Sequence, residues 1–398
     1  MQKIINDPVH GFITIDDKLI YDLLAHPYFQ RLRRIKQMAL AYLVYPGAVH
    51  TRLHHALGAY HLMYKVLIEL RLKGISITAE EEQAVKIAIL LHDIGHAPFS
   101  HALEHSLVSV HHEEISLLIM QKLNEEFDGQ LQRAIEIFKG TYSKKFLHQL
   151  VSSQLDMDRL DYLARDSFFT GVSEGVIGYD RIIKMITVLN DELVVEEKGI
   201  HSVENFLIAR RLMYWQVYFH KTVMSSEMML VQILKRAKEL IHQGVSLFST
   251  PSLSFFLKEE KQSADFSSDP RCLEYYTQLD DTDISTAIKY WATCDDQILK
   301  TLCTNLIQRK LFKLKFVSLE EGKPLFKNWL DRVQPNKEQE NYFWLEGDVL
   351  HTGYDNKGGK INILFKNGSL KEISALEHGL ISAELQVPVK KHYICHLN

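Results

Sequence analysis

The sequence predicts a mainly α-helical protein with a smaller α+β region at its C-terminal end. Three observations predict it. Apolar residues recur at helical spacing through most of residues 18–309, as in Leu53, Leu57, Leu62, Val66, Leu67 and Leu70. Helix punctuation accompanies them: Thr78 with Glu81 at capping-box spacing, then Gly95 and Pro98 where a helix should stop. Beyond Tyr342 the pattern changes to short strand-like runs joined by glycine-containing turns.

Taken in order, residues 1–15 read as an extended segment with a turn at His10-Gly11. Helical periodicity begins near Lys18, and Arg52–Leu72 and Thr78–Asp93 are the clearest helices. Further helices are expected near 101–107, 111–124, 131–138, 143–151 and 155–169. A hairpin follows, with strands over 184–189 and 192–197 and a turn at Asn190-Asp191. Residues 203–242 read as one long helical region, 250–275 as loop, and 281–309 as helical again. Strands are expected over 342–351, 360–366 and 369–373, with turns at Asn356-Lys357-Gly358-Gly359 and Asn367-Gly368. These shifts suggest a helical domain over 1–245, a helical extension over 246–335 and a strand-rich region over 336–398.

Bulk properties narrow the function. A chain of 398 residues, 46% hydrophobic, can bury a substantial core. The net charge of −4 argues against a broad nucleic-acid-binding surface. No apolar run is long enough for a membrane span, and the N-terminus has no signal core. Cys272, Cys294, Cys303 and Cys395 lack metal-ligand spacing, so free thiols in a reducing cytoplasm are expected.

The informative feature is a histidine-rich stretch between His50 and His112. His92-Asp93 follows the apolar run Ile87–Leu91, which places the pair near the core, where a charge needs a partner or a metal. His96 and His101 crowd the same turn. The plain structural reading, a histidine favoured by a helix C-terminus, does not explain that clustering. One of His54 and His55 could supply a further ligand, and the residues alone leave open which. Asp158, Tyr162 and Asp166 fall near one face of a helix, and Asp158 is the candidate ligand there. The competing reading is a solvated face of Asp–Arg pairs such as Asp161–Arg165. His111-His112-Glu113-Glu114 reads equally as an acidic first helical turn or as an acid–base histidine. Arg52, Arg159, Arg210 and Lys221 could hold phosphate, and there is no glycine-rich phosphate loop to do so. A mixed imidazole–carboxylate set without thiolate suits Mn, Fe, Ni, Zn or Mg.

Several long motifs then occur in a fixed order: Asn6–Gly11, Phe29–Gln37, Pro46–Gly58, His92–His101 and Asp156–Asp166, with Tyr218-Phe219-His220-Lys221 later. Together they resemble the HD-domain phosphohydrolases, and within them the deoxynucleoside-triphosphate triphosphohydrolases. The resemblance implies a helical HD fold with a divalent metal held by His55, His92, Asp93 and Asp158. It implies water attack at the α-phosphorus, giving deoxynucleoside and triphosphate. His112 matches the family's catalytic histidine with Glu113 orienting it, and His96 and His101 would flank the α-phosphate. Arg52, Arg159, Arg210 and Lys221 would contact phosphates, Gln37 and Asp166 the sugar 3′-hydroxyl. Tyr218 and Tyr162 would close the pocket against a 2′-hydroxyl. A homo-oligomer, dimer or tetramer, and a nucleotide activator are further implications. The chain is expected to lack the SAM domain of vertebrate members, and Ala25 stands where those members carry an Asp that reads an activating guanine. The alternatives are an HD phosphatase or phosphodiesterase acting on nucleoside monophosphates or cyclic nucleotides, and a nucleotide-binding regulator.

Overall fold

A computed structural model describes residues 2–104, 106–354, 359–376 and 387–397. It opens on an antiparallel hairpin, β1 (Lys3–Asp7) and β2 (Gly11–Ile15), followed by α1 (Lys18–Ala25) and α2 (Pro27–Gln30). The central helices are α3 (Arg52–Leu72), α4 (Ala79–Leu91), α5 (His112–Glu126), α6 (Gln132–Phe138), α7 (Lys145–Val151) and α8 (Met157–Thr170). Next come α9 (Tyr179–Met185), the hairpin β3 (Ile186–Leu189) and β4 (Glu192–Glu196), α10 (Ile200–Met213), a π-helical turn over Tyr214–Tyr218, and α11 (Lys221–His242). Five helices follow: α12 (Pro251–Lys258), α13 (Ser263–Ser268), α14 (Pro270–Tyr276), α15 (Asp281–Trp291) and α16 (Gln297–Ile307). The chain ends with β5 (Lys313–Phe316), α17 (Leu319–Val333), α18 (Lys337–Phe343), β6 (Trp344–His351), β7 (Asn362–Leu364), β8 (Leu370–Glu372) and β9 (Val389–His396).

α3 is the hub. Its Leu62, Met63, Val66 and Leu70 are fully buried, and it packs on both α4 and α8. The capping box at Thr78 and Glu81 starts α4. The tail is tied to the helical body by its sheets: β7 pairs in parallel with β4 in the sheet β3-β4-β7-β8, while β5-β9-β6 forms a second sheet. Among the described residues, no helix is long and apolar enough to cross a membrane.

Several local expectations need correction. Residues 250–275 are mostly helical, with the expected loop confined to 259–262 and a break at Asp269. Pro251 and Pro270 sit at helix starts, capped by the Thr250 and Asp269 side chains. Proline is tolerated there because the first helical N–H has no partner to lose. The helix expected near 101–107 is only a 3-10 turn over Ser100–Ala102, entered through left-handed Phe99 and Ser100 (φ 56° and 51°). Residues 203–242 are two helices separated by the π-turn and a break at Phe219–His220. Tyr342 and Phe343 end a helix rather than begin a strand. Residues 356–358 of the expected turn lie outside the described residues.

Candidate active site

Three helix ends converge. Thr51 starts α3, and His54 Nδ1 accepts the Thr51 backbone N–H at 3.1 Å. That capping role occupies His54 and leaves His55, one position on, to face the interior, where it is fully buried. α4 ends at His92-Asp93. The chain leaves through Gly95, where a Cβ would collide with the start of α5 at His112 O and Ser116 N. Ser116 Oγ closes this junction, accepting from Gly95 N at 2.9 Å and donating to His92 O at 2.8 Å. Asp156 caps α8, accepting from Arg159 N at 2.7 Å, and Asp158 projects from the first turn.

These ends bring His55, His92, Asp93 and Asp158 together. His55 Nε2 lies 3.0 Å from Asp158 Oδ1, 3.6 Å from Asp93 Oδ2 and 3.3 Å from His92 Nε2. His92 Nε2 lies 3.4 Å from Asp93 Oδ1 and 3.5 Å from Asp158 Oδ1. The opposite ring nitrogens fix the tautomers. His55 Nδ1 donates to Asp161 Oδ2 at 2.8 Å, and His92 Nδ1 donates to Ile89 O at 2.6 Å, both groups being acceptors only. With Nδ1 so engaged, each ring in its neutral form turns an Nε2 lone pair toward carboxylate oxygens. Acceptors facing acceptors require a cation between them, and the donor set fits a divalent metal. A proton can serve instead: burial opposes charge on His55, but Asp158 and Asp161 outweigh it and raise the imidazole to about 10. Asp93 is also buried, yet its proximity to His92, the Arg52 guanidinium and a hydrogen bond from His96 hold it well below the usual carboxylate range.

A second cluster lies beside the first. His96 Nε2 is 3.3 Å from Asp93 Oδ1, and its ring stacks on His112 with centroids 3.9 Å apart. Burial and the Arg52 charge push His96 well below its ordinary value, so it is a neutral imidazole near neutral pH. His112 Nδ1 donates to Glu104 Oε1 at 2.8 Å, and His101 Nδ1 donates to Glu104 Oε2 at 2.9 Å. This corrects the expectation for Glu113. Glu113 is exposed on α5, because adjacent helical residues point about 100° apart, and Glu104 is the carboxylate that orients His112. Glu104→Gln should lower kcat about 10- to 100-fold, less than the roughly 100- to 10,000-fold contribution of a general acid–base group because the histidine itself remains, while Glu113→Gln stays near wild type. Steady-state hydrolysis rates of the two variants check this.

A cavity of about 500 Å³ opens onto both clusters. Arg52 lines it with its guanidinium on Asp93 and on Ser100 Oγ, the latter at 2.9 Å. Asp166 lines it too, accepting from Tyr218 OH at 2.6 Å, with His50 Nε2 at 2.7 Å from its other oxygen. Gln37, Arg159 and Tyr162 complete the expected lining, and the Gln37 Oε1 atom is buried without a hydrogen-bond partner. Two expected phosphate contacts are not brought here. Arg210 is buried outside the lining and donates to Gly353 O at 2.7 Å and Gln154 Oε1 at 3.1 Å. Lys221 is exposed, with its ammonium over the Phe316 ring. The break at Phe219–His220 resets side-chain direction, so α11 starts with Lys221 facing outward. The sequence reading missed Glu104, Asp161, His50, Tyr214 and Glu227. Glu227 lines the cavity, and burial pushes its carboxyl up to about 8. Glu104 could have been found from its position three residues after His101; Asp161 showed only the spacing of an ion pair with Arg165 and His50 only its place in the histidine-rich stretch, while Tyr214 and Glu227 had no signal beyond residue type.

Residues 52–166 match the HD domain, and residues 177–250 match the HD associated region. The uncharacterized protein YwfO of Bacillus subtilis is 34% identical over 94% of this chain and 87% of its own. A Dictyostelium discoideum protein named deoxynucleoside triphosphate triphosphohydrolase SAMHD1 homolog is 31% identical, over 60% of this chain and 50% of its own length. The crystal structure of a phosphohydrolase from Bacteroides thetaiotaomicron VPI-5482 superposes with a TM-score of 0.94 at 50% identity, covering 100% of both chains. The two matched regions, together with the Bacillus relative and the Bacteroides structure that align over most of both chains, place the chain in the HD-domain phosphohydrolase family, with an HD domain followed by an HD-associated region.

Proposed function

We propose that the protein hydrolyses deoxynucleoside triphosphates at the α-phosphorus, releasing deoxynucleoside and triphosphate. One observation carries the reading: a single cavity joins the His55–His92–Asp93–Asp158 cluster and three histidines to a wall suited to a sugar. On that wall the orphaned Gln37 Oε1 awaits a donor, and Tyr218 and Asp166 close the space beside it. The names of relatives such as the Dictyostelium protein support the same substrate class.

A divalent cation held by His55, His92, Asp93 and Asp158 would acidify a water and polarise the phosphate. The remaining work falls to the chain. Glu104 holds the Nδ1 hydrogens of His101 and His112, so the far nitrogen of each ring is free to exchange a proton. The water oxygen bonds to the α-phosphorus and gives up one proton to solvent, the bond from phosphorus to O5′ breaks, and O5′ leaves with a proton from the far nitrogen of His112, which solvent then replaces. Arg52 and Arg159 are the arginines on the cavity wall and balance phosphate charge. Asp166 and Gln37 orient the 3′-hydroxyl, and Tyr218 and Tyr162 exclude a 2′-hydroxyl.

The positions of Arg210 and Lys221 favour a second reading, a phosphatase or phosphodiesterase acting on nucleoside monophosphates or cyclic nucleotides, since fewer cations then face the cavity. Product analysis separates the two. The protein is incubated with each dNTP and Mn²⁺ or Mg²⁺, and products are resolved by ion exchange. Intact triphosphate with deoxynucleoside is the expected result. Orthophosphate released from monophosphates, with dNTPs untouched, would replace the first reading with the second.

A further inference from the structure

The motif Asn6–Gly11 at the tip of the N-terminal hairpin has no place in the chemistry above, yet its side chains reach the candidate metal centre. Asp7 Oδ1 accepts from Val9 N at 3.0 Å and His10 N at 2.9 Å, which turns the chain and sends His10 inward. The His10 side chain is 1% exposed, and its Nε2 lies 2.6 Å from Asp161 Oδ1. Tyr179 OH sits 3.3 Å from His10 Nδ1, so the tyrosine donates there and the hydrogen on Nε2 donates to Asp161. Arg165 completes the linkage. Its Nε and Nη2 donate to Asp161 at 2.9 and 3.0 Å, and its Nη1 and Nη2 donate to Asp7 at 2.8 and 3.2 Å.

Asp161 is thus saturated. Oδ1 takes His10 and Arg165; Oδ2 takes Arg165 and His55 Nδ1. The last bond makes His55 present Nε2 to the cation. A carboxylate that holds a metal-binding imidazole by its other nitrogen fixes both tautomer and ring orientation. Here that carboxylate is itself held by two residues of the hairpin, directly by His10 and through Arg165 by Asp7.

We propose that the N-terminal hairpin is a functional part of the metal centre: His10 and Asp7 are positioning residues that act through Asp161 and Arg165 on His55, and so set how tightly the protein holds its divalent cation. The inference rests on reading the His55–His92–Asp93–Asp158 cluster as a metal site, and its test does not depend on the substrate.

The full chain is stripped of metal and titrated with Co²⁺, following the visible absorption of the bound ion and the dissociation constant by competition with a chelating dye. His10→Ala should weaken Co²⁺ binding about 10- to 100-fold, the usual effect of removing such a supporting group, and should change the visible spectrum. His10→Gln should recover most of the affinity, because the amide Nε2 can donate to Asp161 from a similar position. A folded His10→Ala protein with wild-type affinity and spectrum would overturn the proposal. If His10→Ala does not fold, Asp7→Asn decides, since its amide oxygen keeps the turn-forming acceptor while the charge and the oxygen that accepts from Arg165 Nη1 are lost; wild-type affinity there would overturn it equally. A wild-type chain that binds no divalent cation removes the metal centre itself, an outcome distinct from a hairpin without influence on it.

Discussion

His92→Ala should abolish tight metal binding and lower hydrolysis at least about 1,000-fold, the loss of roughly 4 kcal/mol of transition-state stabilisation at 1.4 kcal/mol per tenfold. His92 is buried and held by Ile89 O, so its Nε2 has one direction to face, toward Asp93, Asp158 and His55. Alanine leaves two carboxylates and one imidazole around a larger space, too few groups to close the set. The fold should survive, because the His92 side chain bonds only one backbone carbonyl apart from the cluster and its own carbonyl still accepts from Ser116 Oγ. Metal content by elemental analysis and single-turnover rates check the prediction. A variant that stays metal-loaded and active would show that the reaction does not use this cluster.

Gly58→Ala should destabilise the protein by about 3 kcal/mol or more, an unusually large effect for one added methyl group. Gly58 lies one helical turn beyond His55 on α3, where that helix crosses α8. A Cβ there would overlap both Asp161 Oδ1 and Arg165 Nη2. Neither can withdraw easily: Asp161 and Arg165 are fully buried, and each is bonded to partners from other elements. Parting two buried charges leaves them unpaired in an apolar setting, and this cost exceeds the helix-propensity gain of alanine, about 1 kcal/mol. Gly322→Ala is the control. A Cβ there would meet neighbours at 3.7 and 4.0 Å, ordinary contact, so that variant should be neutral or more stable. Denaturant unfolding of the metal-free variants compares the two. Equal stabilities would mean that α3 and α8 can separate at the site without loss.

Much of the site was legible before any coordinates. His92-Asp93 stood out because an apolar run carries it into the core, whereas His112 read equally as part of an acidic first turn until the resemblance selected it. The resemblance selected His55 over His54, and the structure supplies the physical ground, since His54 caps α3. What was not legible depends on long-range packing. Glu104 reaches His112 through a loop entered by left-handed Phe99 and Ser100, a path with no periodicity. Arg210 and Lys221 carry suitable chemistry, but Gly353 O and Gln154 hold Arg210, and the break before α11 leaves Lys221 exposed over Phe316. The pair Asp161–Arg165 has the spacing of a surface ion pair, and only its burial beneath the hairpin shows otherwise.

The sequence by itself determined what depends on near neighbours: the helical class, the capping box at Thr78, the hairpin turn at Asn190-Asp191 and the adjacent donors of His92-Asp93. Hydrophobic period and cap chemistry act within a few residues, so they can be read along the chain. Tertiary structure alone decided which carboxylate holds which histidine, that β7 pairs with β4, and that the hairpin tip reaches His55 through Asp161. The contacts of Asp161 with His10 and His55 join residues 151 and 106 positions apart, and they exist because a buried polar group must find its partners within the protein.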